Sequence, residues 1–125
     1  MTRYSNPHRD TMELELNGTM YTLELNGTET SAAFAQVAPF QSSLFESGGS
    51  HYWGAIPKRL PTPQDLKTSH PIKGSVYYAD HLTAIAIYFA DPGSIAPYTV
   101  YPLGTVTDDM SALRRAGNRI TLKVL

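Results

Sequence analysis

The sequence predicts a mainly β domain, either a closed antiparallel barrel or a sandwich. Three observations lead there. Short runs alternate apolar and polar residues, as half-buried strands require. Asn-Gly, Gly-Gly and proline-rich stretches punctuate those runs at short intervals. Helical spacing appears in only two brief stretches. With 125 residues, the chain fits one domain, which buries roughly two-thirds of its unfolded surface around one core.

Residues 1–11 read as a polar tail and residues 12–125 as the domain. "MELEL" and "YTLEL" alternate around Asn17-Gly18, a pair that accepts positive φ and predicts a hairpin. Met12, Leu14 and Leu16 then face the core, and Glu13 and Glu15 face water. After a second Asn-Gly turn, Thr30 or Ser31 is placed to cap a short helix. Ala33, Phe34, Val37 and Ala38 share one face of it, and Pro39 ends it. "QSSLFES" and "SHYWGAI" read as strands around Gly48-Gly49.

"PKRLPTPQDLKTSHPIKG" is a loop by its prolines. "SVYYAD" and "AIAIYFAD" form a hairpin, and the second run is apolar enough to be buried on both faces. "YTVYPLGTV" is a strand whose Pro102 calls for an edge or a bulge. "DDMSALRRAG" is a second short helix with an acidic start, a basic end and Gly117 at its C-terminus. "RITLKVL" alternates as the last strand. The sum is about eight short strands and two short helices, the pattern of a barrel or sandwich.

Composition narrows the function classes. Cysteine is absent, so disulfides, a thiolate nucleophile and Cys-ligated metal are excluded. That fits a reducing compartment, and with no apolar leader-like run at the start a cytoplasmic location is expected. Ten basic and eleven acidic residues give a net charge of −1. They are spread without blocks, so no nucleic-acid surface is expected. No apolar run reaches the ~20 residues of a membrane span. The four histidines, His8, His51, His70 and His81, show no H-x-H or H-x-x-x-H spacing, so no metal site is expected. Phosphate-loop, dinucleotide and G-x-S-x-G patterns are missing, and no cofactor is expected.

The second half of the chain resembles a known family. "IPKRL" (Ile56 to Leu60), a Pro-rich loop, "GSVYYADHLTAIAIYFAD" from Gly74 and "YPLGTV" from Tyr101 follow one another in that order. This resembles the small bacterial cyclophilin-like family, in which an "IPTRL"-type element precedes a "GDIAYY" strand, an "LAIFY" strand and an "LGRI" strand. The resemblance covers about residues 12–125. It implies a closed eight-stranded antiparallel β-barrel with a short helix at each end. It implies little about activity. Larger cyclophilins are prolyl isomerases with Phe-His-Arg and Gln-Gly-Gly runs on the barrel's outer face. Neither run occurs here, so no isomerase residue transfers.

Two stretches and one residue type carry candidate chemistry. In "HYWGAIPKRL", strand alternation puts His51 and Trp53 on one face and Tyr52 on the other. Trp53 is either core or the apolar shelf of a pocket, with His51 as acid or base. In "VYYADHL", Asp80 and His81 are either an orienting dyad or a turn with a solvated imidazole. Tyr occurs eight times. Tyr52, Tyr77, Tyr78, Tyr88, Tyr98 and Tyr101 all fall on expected strands, as β-formers or as hydroxyl donors to a carbonyl. Ser42 and Ser43 have no base nearby in sequence. Lys58 and Arg59 offer charge for an anionic group at the mouth.

The expectation is a small-molecule pocket in the barrel, whose interior is either partly hollow and Tyr/His-lined or, if the barrel is small, filled by its own side chains. It would act as a cofactor-independent cyclase or isomerase of a small organic substrate. His51, Tyr78 and His81 are the catalytic candidates; Tyr52, Trp53, Arg59, Tyr88, Tyr98 and Tyr101 are the ligand-binding ones. The alternatives are a ligand- or peptide-binding module without chemistry, and a prolyl isomerase by fold analogy.

Overall fold

The computed structural model describes residues 10–125. The tail expected over residues 1–11 therefore falls almost wholly outside the described residues, as does His8. The barrel begins at β1, Thr11–Leu16. The other strands are β2 (Thr19–Leu25), β3 (Phe40–Ser47), β4 (His51–Ala55), β5 (Ser75–Ala79), β6 (Ala84–Tyr88), β7 (Tyr101–Val106) and β8 (Arg119–Val124). They close into one barrel in the order β1-β2-β7-β5-β6-β4-β3-β8. Closure comes from β8, which pairs with β1 through Leu14–Val124 and with β3 through Leu44–Ile120. With no open edge, every strand has two partners.

The first hairpin forms as its sequence requires. Asn17 and Gly18 take φ of 53° and 89°, and the register sets Leu14 opposite Tyr21 and Met12 opposite Leu23. All four are buried. Pro102 sits beside a bulge, because Val76 pairs with Gly104 while Tyr77 pairs with Pro102. That extra residue lets β7 accommodate a proline without a ladder donor.

The first helix, α1, spans Glu29–Val37, and Thr28 caps it by accepting from the Ser31 amide. The cap thus lies two residues before the expected Thr30. The reason is Asn26, whose side-chain oxygen accepts from both the amide (3.1 Å) and the hydroxyl (2.7 Å) of Thr28. Thr30 and Ser31 are buried instead, with the Thr30 hydroxyl donating to Pro61 O at 2.8 Å. A 3-10 turn, Gln64–Leu66, lies in the Pro-rich loop, and the helix expected near the C-terminus is a 3-10 helix, Ser111–Arg115. Asp109 holds its start by accepting from the amide and hydroxyl of Ser111, at 2.9 and 3.1 Å. Five residues are too few for a stable α-helix there.

The interior is a packed core of Leu14, Leu23, Phe34, Leu44, Val76, Ile85, Leu103 and Leu122, with others around them. Tyr52, Tyr78 and Tyr101 enter it with their hydroxyls tied to Leu113 O, the Leu60 amide and the Gln64 side chain. No histidine among the described residues belongs to it. Of the two interiors left open by the sequence, a partly hollow Tyr/His-lined one and a filled one, the barrel has the filled one, as its small size allows.

Strands approach most closely at two glycines. A Cβ on Gly104 would overlap the Glu24 carbonyl, and one on Gly54 the Ser43 carbonyl. Backbone cannot move aside as a flexible side chain would. Gly104→Ala should therefore destabilise the barrel by about 2 kcal/mol or more, read as a lowered midpoint in urea unfolding. An unchanged midpoint would show that β2 and β7 are not held at this spacing.

Candidate functional site

β5 and β6 are buried along both faces. Their inner face joins the core, and their outer face forms a second apolar cluster of Tyr77, Ala79, Ala84, Ala86, Tyr88 and Val100. The register arranges this outer face in rows. Phe45, Trp53, Ala86 and Tyr77 lie side by side across β3, β4, β6 and β5. Ser47, His51 and Tyr88 form the row beside it.

The loop before β7 lies over the β5 side of these rows. It is anchored by paired 2.9 Å bonds between Thr68 and Val100, and by the Ile95 amide donating to Ser69 O at 2.8 Å. The Tyr77 hydroxyl accepts from the Ile72 amide at 3.0 Å and ties down the Pro-rich segment.

Between that loop and β4 the outer face is uncovered. This leaves a cleft of about 410 Å³ lined by His51, Trp53, Ala79, Ala86, Tyr88 and Val100, with His81, Leu82, Ile95 and Tyr98 around them. The alanines make a thin floor, and rings stand around it. The His51 imidazole stacks on Tyr88 at 4.5 Å and 24°. Tyr77 meets Tyr88 edge-on at 5.5 Å. His81 stacks on Tyr98 at 5.2 Å and 23°.

Electrostatics keep the cleft neutral. Burial pushes the His51 imidazole below its ordinary 6.5, and the Glu46 carboxylate opposes this only in part. The imidazole is thus uncharged at neutral pH. The Ser50 hydroxyl lies 3.0 Å from His51 Nδ1 and fixes that side of the ring. Burial, with the neighbouring Tyr77 phenol, pushes Tyr88 up to about 12. Tyr88 is therefore a hydrogen-bond donor that does not ionise near neutrality. Among the described residues, no cluster of three or more His, Asp or Glu could hold a metal ion.

Five of the nine sequence-derived site residues meet in this cleft: His51, Trp53, His81, Tyr88 and Tyr98. The shared face of His51 and Trp53 points out of the barrel, while Tyr52 points in and is 1% exposed. Trp53 is thus outside the barrel interior, on the wall of the cleft and packed against the second apolar cluster. Tyr52, Tyr78 and Tyr101 belong to the interior, their hydroxyls already engaged.

Tyr98 lies outside β7, in the preceding loop, and is 60% exposed. Arg59 lies elsewhere, with Lys58 against Ala33, Gln36 and Val37 of α1. Asp80 and His81 are 3.9 Å apart, too far for a hydrogen-bonded dyad. They occupy the β5–β6 turn, where the Asp80 carbonyl accepts from the Thr83 amide.

The cleft also uses residues that were not singled out. Ser50 holds His51, and Ala79, Ala86 and Val100 form the floor. The signal for the floor was present in "AIAIY", whose alanines alternate with isoleucines and so make one face small. Ser50 is a neighbour in sequence, but only the β3–β4 turn geometry shows its contact.

A closed eight-stranded antiparallel barrel with one capped helix defines a cyclophilin-like fold. Residues 14–124 match the cyclophilin-like family, and the chain belongs to it. The fold is similar to the solution structure of AF2241 from Archaeoglobus fulgidus, with a TM-score of 0.73 at 17% identity over 91% of this chain and 92% of that one. It is also similar to McbB, whose structure was determined in complex with tryptophan. There the TM-score is 0.64 at 20% identity, covering 90% of this chain and 43% of McbB, so this chain spans less than half of that protein. A comparison with curated protein sequences finds no match.

The lowered value of His51 makes stability depend on pH. The unfolded chain binds the proton more tightly than the native state. The contribution of a neutral His51 is therefore complete above the ordinary 6.5 and is lost as pH falls toward the lowered native value. Urea unfolding at pH 5 and 7.5 should show higher stability at 7.5. His51→Phe should reduce that difference, and an identical difference in the variant would contradict the buried, neutral imidazole.

Proposed function

We propose that the outer-face cleft binds a small organic molecule and that His51 serves it as an acid–base group. The reaction class is a cofactor-independent isomerisation or cyclisation. One observation carries this reading: a neutral imidazole, fixed through Nδ1 by Ser50, lines an apolar and aromatic cleft. In the tautomer whose Nδ1–H donates to the Ser50 oxygen, Nε2 holds the lone pair and is the base. An apolar cleft with few polar groups is the usual form of a small-molecule site. The tryptophan in the McbB structure supports the same ligand class.

A second reading, binding without turnover, is favoured by the 3.9 Å Asp80–His81 gap. It leaves the site without a carboxylate hydrogen-bonded to an imidazole to strengthen a base. Prolyl isomerisation rests on the fold alone.

The test is a thermal-shift screen of neutral ring compounds, followed by detection of products. At a hundred times its Kd a ligand adds about 2.7 kcal/mol, a shift of several degrees for a domain of this size. Ala86→Leu, which fills the floor, should abolish the shift. For a ligand that is converted, His51→Gln should cut turnover at least about tenfold, within the usual share of a general base, and leave the thermal shift. Conversion unaffected by His51→Gln would remove the assigned role. Shifts that survive Ala86→Leu would place the site elsewhere.

A further inference from the structure

Three polar atoms of residues that line the cleft have no hydrogen-bond partner among the described residues: the Tyr88 hydroxyl, the Trp53 indole N–H and His51 Nε2. The first is the most informative. Tyr88 is only 2% exposed, and a buried hydroxyl without a partner opposes folding. The hydroxyls of Tyr52, Tyr77, Tyr78 and Tyr101 all engage backbone or side-chain groups. Phenylalanine would supply the stacking on His51 and the edge contact with Tyr77 equally well. The Tyr88 hydroxyl is therefore not explained by the barrel's own packing.

We propose that the Tyr88 hydroxyl selects the ligand by donating to its carbonyl oxygen, and that the ligand is a flat, uncharged ring compound bearing that carbonyl. This rests on the cleft being a small-molecule site. The phenol stays protonated far above neutrality, so it offers a donor at any working pH. The Trp53 N–H is a second donor on the same wall and has no acceptor role.

Charge argues for neutrality. Among the described residues, no Lys, Arg, Asp or Glu lines the cleft, so none of them offers a carboxylate or an ammonium a counter-charge to offset its desolvation. The volume, about 410 Å³, is near the lower end for ligand sites. The thin floor of Ala79 and Ala86 between standing rings suits a planar molecule of one or two rings.

Trp53 is the chain's only tryptophan, so in a ¹⁵N-labelled sample it gives a single indole N–H signal inside the cleft. Titrations with indole-3-carboxamide, indole and indole-3-carboxylate compare ring-matched probes. The expected result is that the carboxamide moves the Trp53 signal and binds about tenfold tighter than indole, with the carboxylate weaker than the carboxamide. Tyr88→Phe should bring the carboxamide down to the affinity of indole without lowering Tm.

Equal affinity for carboxamide and indole, a preference for the carboxylate, or a gap that survives Tyr88→Phe would overturn the proposal and leave the cleft as a binding site. A clear fall in Tm for Tyr88→Phe would also overturn it, by showing that the fold uses the hydroxyl. No movement of the Trp53 signal with any probe would remove both the proposal and the cleft reading.

Discussion

Burial of β5 and β6 on both faces is the constraint on which the rest of the molecule depends. The inner face is fixed by barrel closure: Val76, Tyr78, Ile85 and Ile87 join a core to which every strand contributes. The outer face is apolar too, and water will not cover it without cost. The chain answers with a long loop before β7, pinned through Val100 and Ile95 onto the Pro-rich segment. That cover reaches Tyr77 but stops short of β4. The cleft is the uncovered part of a face that had to be apolar, which is why it lies outside the barrel.

The chemistry of the cleft follows from the same burial. Desolvation lowers His51 and raises Tyr88, so both groups present themselves uncharged. Stacking of the two rings sets a neutral imidazole directly against a donor that does not ionise. The Asp80–His81 pair stays at the turn, 38–40% exposed, at the rim rather than on the floor. This neutral site is consistent with a ligand held by ring contacts and a few hydrogen bonds, and it sets the cleft apart from the Lys58–Arg59 surface beside α1.

Much of this architecture was legible in the sequence because strand physics is local. Asn17-Gly18 demands its hairpin, Pro102 demands its bulge, and the continuous run in β6 demands cover on both sides. Alternation also put His51 and Trp53 on one face. Alternation does not say which face is inside, so the direction of His51 and the filling of the barrel stay open at the level of sequence. Tyr52 settles the direction, since its hydroxyl reaches the Leu113 carbonyl at the end of the barrel. That contact spans 61 residues and has no local signature. The Thr28 cap was hidden for a related reason. It depends on Asn26, whose side chain was read as turn chemistry alone. Tyr98 reads as a strand residue by composition, whereas the loop that carries it is defined by its pairing with Thr68 and Ser69.

The central claim is that function resides on the outer face and not in the barrel. A crystallographic fragment screen tests it most directly, because it surveys every surface at once. The account predicts that bound fragments concentrate between Trp53, Tyr88 and Val100, over the alanine floor. Fragments gathered instead at the Arg114 end of the barrel or against Arg59, with the outer cleft empty, would contradict it.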